Sequence, residues 1–283
     1  MELLDAVTYA ALEGLTRVLP LSDSGHRLVA RVWLSDVRGL AALPHLTEIG
    51  CLVALVLACR RRLAAALTEG IRGIAKPGVL QETDGGRDAT ALVLAAIVAL
   101  VTELPLRPFA AAANDVPLVV GVGLLATAAG LLSTLLAPAP RLTGPSPAGA
   151  LLVGLAHGLA IVPGASQIGA AFVMMRWMGI SGWNAAELSM LVTIPVLGLR
   201  ASLLVFRGLD VSALSFAQIT LAVVVAFVAA SLAASWWRSL ADRGRTPWLT
   251  LWLVPLALAV LAYGRALPTP TDHMPIAQHA IAG

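Results

Sequence analysis

Residues 11–25, ALEGLTRVLPLSDSG, are echoed by residues 155–169, LAHGLAIVPGASQIG, at a constant offset of 144 residues in a chain of 283. At that offset Gly14/Gly158, Leu15/Leu159, Val18/Val162, Ser22/Ser166 and Gly25/Gly169 are identical. Both copies are apolar stretches broken by proline, glycine and serine. The first also carries Glu13, Arg17 and Asp23, with His26 just beyond it. Paired, interrupted hydrophobic segments in corresponding halves of a chain point to a buried binding site in a membrane protein.

Composition sets the same frame. The chain is 58% hydrophobic and only 12% charged, with a mean hydropathy of +0.86, whereas soluble domains run near a quarter charged. Several apolar runs reach the roughly 20 residues needed to cross a bilayer core. The net charge of +3 is modest and gives no nucleic-acid signal. Only Lys76 is a lysine, so arginine carries nearly all the positive charge. Its planar fork suits phosphate better than an ammonium does. Cys51 and Cys59 share one apolar run and are expected to be packing residues. No cleavable signal peptide is expected, because Glu2 and Asp5 occupy the place of a basic n-region.

The expected fold class is an all-α polytopic membrane protein of two inverted-topology repeats. Each repeat is a re-entrant helical hairpin plus three transmembrane helices. Six runs read as spans, at 46–60, 89–106, 116–137, 185–206, 216–237 and 248–267. The segments 6–34 and 149–180 are broken by Pro20 with Gly25 and by Pro163 with Gly164. Irregular backbone at membrane depth is tolerated only inside protein or beside a water-filled cavity, so both read as hairpins with inward tips. The chain is then one membrane domain, 1–283, with repeat one at 1–137, a cytoplasmic connection at 138–147, repeat two at 148–267 and a short tail at 268–283.

Arginines in the 60–88 and 238–247 loops place those loops in the cytoplasm by the positive-inside rule. The first hairpin then enters from outside and the second from inside. Trp33, Trp177, Trp183, Trp236, Trp237 and Trp248 fall near predicted ends and are expected in the interfacial belt.

Ionisable groups inside a membrane are costly, so each is a functional candidate. Glu13 and Arg17 are four apart and share a helix face. Ser22, Asp23 and Ser24 follow Pro20 and can cap the next short helix. The cluster reads either as a buried structural ion pair with a cap, or as a site. In the second hairpin, Ser166 and Gln167 follow Pro163-Gly164, whose amides suggest an anion cradle. His157 reads as a packing histidine and Arg176 as a residue that snorkels or binds. Glu48, Glu103, Glu187 and Arg200 also lie in spans. No histidine–carboxylate spacing supports a tight metal site. A weakly held Mg²⁺ or Ca²⁺, shared with substrate phosphate and touching Glu13, is the metal reading. No organic cofactor is expected.

Here the chain resembles the bacterial undecaprenyl-pyrophosphate phosphatases, the bacitracin-resistance family. The family's EGxTExLPxSSTGH appears as EGLTRVLPLSDSGH from Glu13 to His26, and its PGxSRSG as PGASQIG from Pro163 to Gly169. Glu187 in AAELS stands where the family has ASEFS. The resemblance implies two inverted repeats and removal of the terminal phosphate from a prenyl pyrophosphate. It further implies a divalent cation and a site facing outward from the bacterial inner membrane.

Glu13, Asp23 and His26 are the expected catalytic residues. Arg17, Ser22, Ser24, Gly164, Ser166 and Gln167 are the expected phosphate-binding residues, with Glu187 and His157 supporting. Three positions depart from the family pattern: its second glutamate is Arg17, the second serine of its SST is Asp23, and the arginine of PGxSRSG is Gln167. Charge relocation is one reading, in which Arg17 replaces the cation missing at Gln167 and Asp23 the carboxylate missing at Arg17. Asp23 then acts as nucleophile or base, with His26 as general acid.

Retention of the lipid-phosphate cavity without hydrolysis is the other reading, giving a transporter or a non-catalytic binder of polyprenyl phosphate. The expected partners are a polyprenyl (pyro)phosphate lipid and the membrane, with no nucleic acid and a homodimer left open.

Overall fold

A computed structural model describes residues 3–30, 42–207, 211–212 and 214–263. Trp33, the end of the first interrupted segment and the 268–283 tail lie outside them. Among the described residues the regular secondary structure is helical, apart from one backbone pairing of Leu142 with Ile180.

Five helices are long and apolar enough to cross a membrane. They are α6 (Asp84–Ala113), α7 (Pro117–Ser133, extended to Leu136 by a 3₁₀ turn), α10 (Gly182–Arg207), α11 (Phe216–Asp242) and α12 (Thr250–Tyr263, preceded by the 3₁₀ turn Thr246–Leu249). Their outward faces carry exposed apolar side chains such as Ile97, Val122, Leu232 and Leu251. On helices of this length and hydropathy, such faces suit contact with lipid. The protein is therefore a multi-pass membrane protein.

The expected span at 46–60 differs. It is α3 (Leu43–Ala58), 16 residues long, which at 1.5 Å per residue covers only about 24 Å. Cys59 breaks it, and α4 (Arg60–Ala75) follows. Three consecutive arginines resist burial in hydrocarbon and end the apolar helix there. The expected arginine-rich loop is thus largely helical, with α4 and the short α5 (Val79–Glu82). Leu67, Ile71 and Ile74 remain exposed on α4. α6 also outruns its predicted end at 106, because Ala110 to Ala113 carry the helix past Pro105 and Pro108.

The two interrupted segments are each a pair of helices joined by a turn: α1 (Leu3–Val18) with α2 (Asp23–Ala30), and α8 (Pro147–Leu159) with α9 (Gln167–Trp177). α1 packs most closely on α11, and α8 on α6. Small residues let these backbones approach. A Cβ at Gly14 would strike the Ala226 carbonyl, and one at Gly158 the Ala99 carbonyl. Cys51 and Cys59 are buried free thiols, as packing residues should be. Trp237 departs from the interfacial expectation: it is fully buried and meets Phe172 edge-on at 4.7 Å. Trp177, Trp183, Trp236 and Trp248 are exposed.

Candidate functional site

The turns of both helix pairs are built alike. Ser22 Oγ accepts from the Gly25 amide at 3.3 Å and Ser166 Oγ from the Gly169 amide at 3.1 Å. Each serine therefore caps the second helix of its pair. The backbone solutions differ. In the first turn Ser22 itself takes a positive φ of 68°, a conformation unfavourable for a residue with a Cβ. In the second the positive φ of 86° falls on Gly164, where a Cβ would collide with the Val120 carbonyl.

The tips meet. Ser24 Oγ accepts from the Gly164 amide at 2.8 Å and lies 3.2 Å from Ser22 Oγ. The Ser166 amide donates to Thr127 Oγ1 at 3.0 Å, and the Ala165 amide to the Val162 carbonyl at 2.9 Å. These three amides are all engaged within the protein. The anion cradle expected of the second turn is not formed by them, because the fold uses them to fasten its tip.

Between the tips lies a cavity of about 400 Å³. Arg17, Ser22, Asp23, Ser24 and Arg27 line one wall; Ser166, Gln167, Arg200 and Arg107 line the other, with Glu48 and His45 from α3. Four guanidinium groups and four carboxylates interlock around it. Arg17 contacts Glu13 at 2.8 Å, Asp23 at 3.0 Å and Glu48 at 3.0 Å. Arg27 contacts Glu13 and Asp23, each at 2.9 Å. Opposite, Arg200 meets Glu103 at 2.6 Å and donates to Gln167 Oε1 at 3.0 Å. Gln167 Nε2 donates to Glu103 Oε2 at 2.9 Å, and Arg107 lies 3.2 Å from Glu103. Burying so many charges costs desolvation that pairing alone seldom recovers. Such a network marks a functional site.

Several expected site residues are placed elsewhere. Glu13 is only 1% exposed and stands behind the wall, with both carboxylate oxygens on arginines. His26 is buried with both ring nitrogens engaged: Nδ1 lies 2.8 Å from the Ser22 carbonyl, and Nε2 accepts from the Trp252 indole at 2.8 Å. The geometry gives it no proton to deliver into the cavity. Gly164 sits at the tip contact rather than on the cavity wall. His157 is buried behind the wall, 3.2 Å from Thr193 Oγ1.

Glu187 lies at the opposite end of α10 from Arg200, thirteen residues or about 20 Å along the helix. There it joins Arg62, which holds Asp88 bidentately at 2.6 and 2.9 Å and reaches Asn184 at 2.8 Å. Burial opposes the charge of Arg62, but Asp88 and Glu187 outweigh it and raise its pKa above the ordinary arginine value. Arg176 turns to the Ile180 carbonyl.

Arg27 and Arg107 escaped notice in the sequence, although Asp23–Arg27 and Glu103–Arg107 show the same four-residue spacing as Glu13–Arg17. Glu48, Glu103 and Arg200 are visible in the sequence only as isolated charges in spans. The donor set does not fit a resident divalent ion. Each carboxylate around the cavity faces at least one arginine, and among the described residues no three acidic, histidine or cysteine groups converge as metal ligands.

A second, apolar cavity of about 730 Å³ runs beside the first, between α7 and the α8–α9 pair. Val122, Ala126, Ala170 and Val173 line it, and it shares Ala160, Ala165 and Ser166 with the polar cavity.

Fold and site together define a helical membrane protein with an arginine-lined cavity opening beside an apolar groove. The chain belongs to the bacitracin resistance protein BacA family, whose model matches residues 6–259. It is 28% identical over 258 residues to an undecaprenyl-diphosphatase of Acaryochloris marina, covering 90% of this chain and 96% of that one. It is 32% identical over 249 residues to undecaprenyl-diphosphatase 1 of Rhodospirillum rubrum, covering 83% and 84%. An undecaprenyl-diphosphatase of Christiangramia forsetii is 28% identical over 276 residues, covering 94% and 100%.

Proposed function

We propose that the protein hydrolyses undecaprenyl pyrophosphate, or a related prenyl pyrophosphate, to the monophosphate carrier lipid. The observation that carries this reading is the joint wall of the two cavities at Ser166. An amphiphile with a diphosphate head and a prenyl tail matches a polar, arginine-lined chamber beside an apolar groove. The family membership and the names of the relatives support the same reaction.

In this reading water attacks the terminal phosphorus in line with the bridging oxygen. A new P–O bond forms, the bond to the bridging oxygen breaks, and its electron pair leaves with the prenyl phosphate. Asp23 takes the proton from the water and yields it to the released phosphate. Arg27 and Arg200 offset the charge on the transferred group, while Arg17 holds Asp23 in place at 3.0 Å. A divalent cation, Mg²⁺ or Ca²⁺, belongs to this reading as a companion of the substrate's diphosphate.

The reading also places the cavity on the outer face of the bacterial inner membrane. Arg107 and Asn114 of the cavity wall stand at the end of α6 opposite Asp84, on the side away from the arginine-rich 60–62 segment. An inverted-repeat organisation divided near 138–147 accompanies it. The matched seating of Gly14 on α11 and Gly158 on α6 supports it.

Detergent-purified protein incubated with undecaprenyl pyrophosphate is expected to release inorganic phosphate. Folded protein that binds the lipid without releasing phosphate would instead favour a carrier or sequestering role. Filling the groove tests the tail: Ala170→Phe is expected to raise KM about tenfold for the undecaprenyl substrate and to leave farnesyl pyrophosphate turnover near that of the parent. An equal effect on both substrates would remove the groove from the site.

A further inference from the structure

We infer that Arg200 supplies the cation missing at position 167 and is a substrate-phosphate-binding residue of this chain; the inference rests on the phosphatase reading above. The motif pattern has arginine where Gln167 stands. The glutamine side chain ends one charged group short, and its Oε1 receives the Arg200 Nη2 at 3.0 Å. Gln167 and Arg200 thus place a guanidinium, delivered from α10, next to the end of the side chain at 167. Glu103 fixes this assembly, accepting from Arg200 Nε at 2.9 Å and Nη2 at 2.6 Å and from Gln167 Nε2 at 2.9 Å.

The charge relocation read from sequence assigned this role to Arg17, and the geometry disfavours that. Arg17 is enclosed by Glu13, Asp23 and Glu48 on the opposite wall, so its charge is already more than matched. Arg200 is differently placed. Its side chain is 15% exposed, and Nη1 has Glu48 as its nearest carboxylate, at 3.9 Å, beyond hydrogen-bond range. Two N–H groups of Nη1 are therefore available at the cavity. Guanidinium pairs with phosphate oxygens directionally, so a diphosphate entering between the walls meets a held but unspent donor.

The test uses purified full-length protein and two readouts: phosphate release from undecaprenyl pyrophosphate, and equilibrium binding of inorganic pyrophosphate. Arg200→Ala is expected to weaken pyrophosphate binding about 10- to 100-fold, the range of a charge-assisted hydrogen bond, and to raise KM more than it lowers kcat. Removing Arg200 also strips Glu103 of a partner, so the double variant Arg200→Ala/Gln167→Arg returns a guanidinium beside Glu103 from the other side. It is expected to recover binding to within a few-fold of the parent.

Parent-level pyrophosphate binding by folded Arg200→Ala overturns the inference, as does a folded double variant no better than the single one. If the parent itself binds the prenyl pyrophosphate without releasing phosphate, the phosphatase reading fails, and the binding comparison still decides the role of Arg200.

Discussion

Asp23→Asn is expected to cut phosphate release about 10³-fold, within the range general-base removal commonly costs, while binding of the lipid survives. Asp23 is the most exposed of the four carboxylates, at 27% of its side chain, whereas Glu13 and Glu103 are at 1% and Glu48 at 10%. It alone combines a place on the cavity wall with an orientation set from three sides. The Ser24 amide holds Oδ1 at 2.9 Å, and Arg17 and Arg27 hold Oδ2. Asparagine keeps the shape and removes the basic oxygen. Arg17 retains Glu13 and Glu48, and Arg27 retains Glu13, so the cluster stays assembled. Phosphate release within a few-fold of the parent would take the base role from Asp23 and turn attention to the Ser22–Ser24 pair.

Arg17→Met is expected to destabilise the protein by about 3–5 kcal/mol, the cost of leaving buried charges uncompensated. Three carboxylates lose their shared cation, and Arg27 is left to serve Glu13 and Asp23 alone. Thermal unfolding in detergent reads the loss. Adding Glu48→Gln should recover part of it, because one orphaned anion is then neutral. A double variant no more stable than Arg17→Met would mean that packing, not charge, explains the loss. For the same reason Arg17→Glu/Gln167→Arg should not restore activity. The new arginine would join Glu103 and Arg200 across the cavity and leave four carboxylates around Arg27.

The sequence made the helical membrane class and the paired broken segments legible, because hydropathy and helix breakers are local. Ser22, Ser24, Ser166 and Gln167 could be placed at turns for that reason. Partner choice was not legible. Whether His26 faces a substrate depends on Trp252, and which cation Glu103 meets inside its span depends on Arg200, neither of which has a fixed spacing to its partner. Glu187 shows the reverse limit: motif position suggested the site, while helix length puts it at the far end of α10 with Arg62. The helix α6 continues beyond the predicted end at 106, because the alanines after Pro105 and Pro108 keep the chain helical.

The hydrogen bond from Gly164 to Ser24 joins residues 140 positions apart, and that from Trp252 to His26 spans 226. Until translation has passed Arg200, the nascent chain holds an acid–base tangle without a chamber, and until Trp252 emerges, His26 lacks its indole partner. Assembly of the cavity in this way waits for segments far apart in the chain to be present together. A polypeptide abandoned partway into the bilayer carries no hydrolase into the company of carrier lipids.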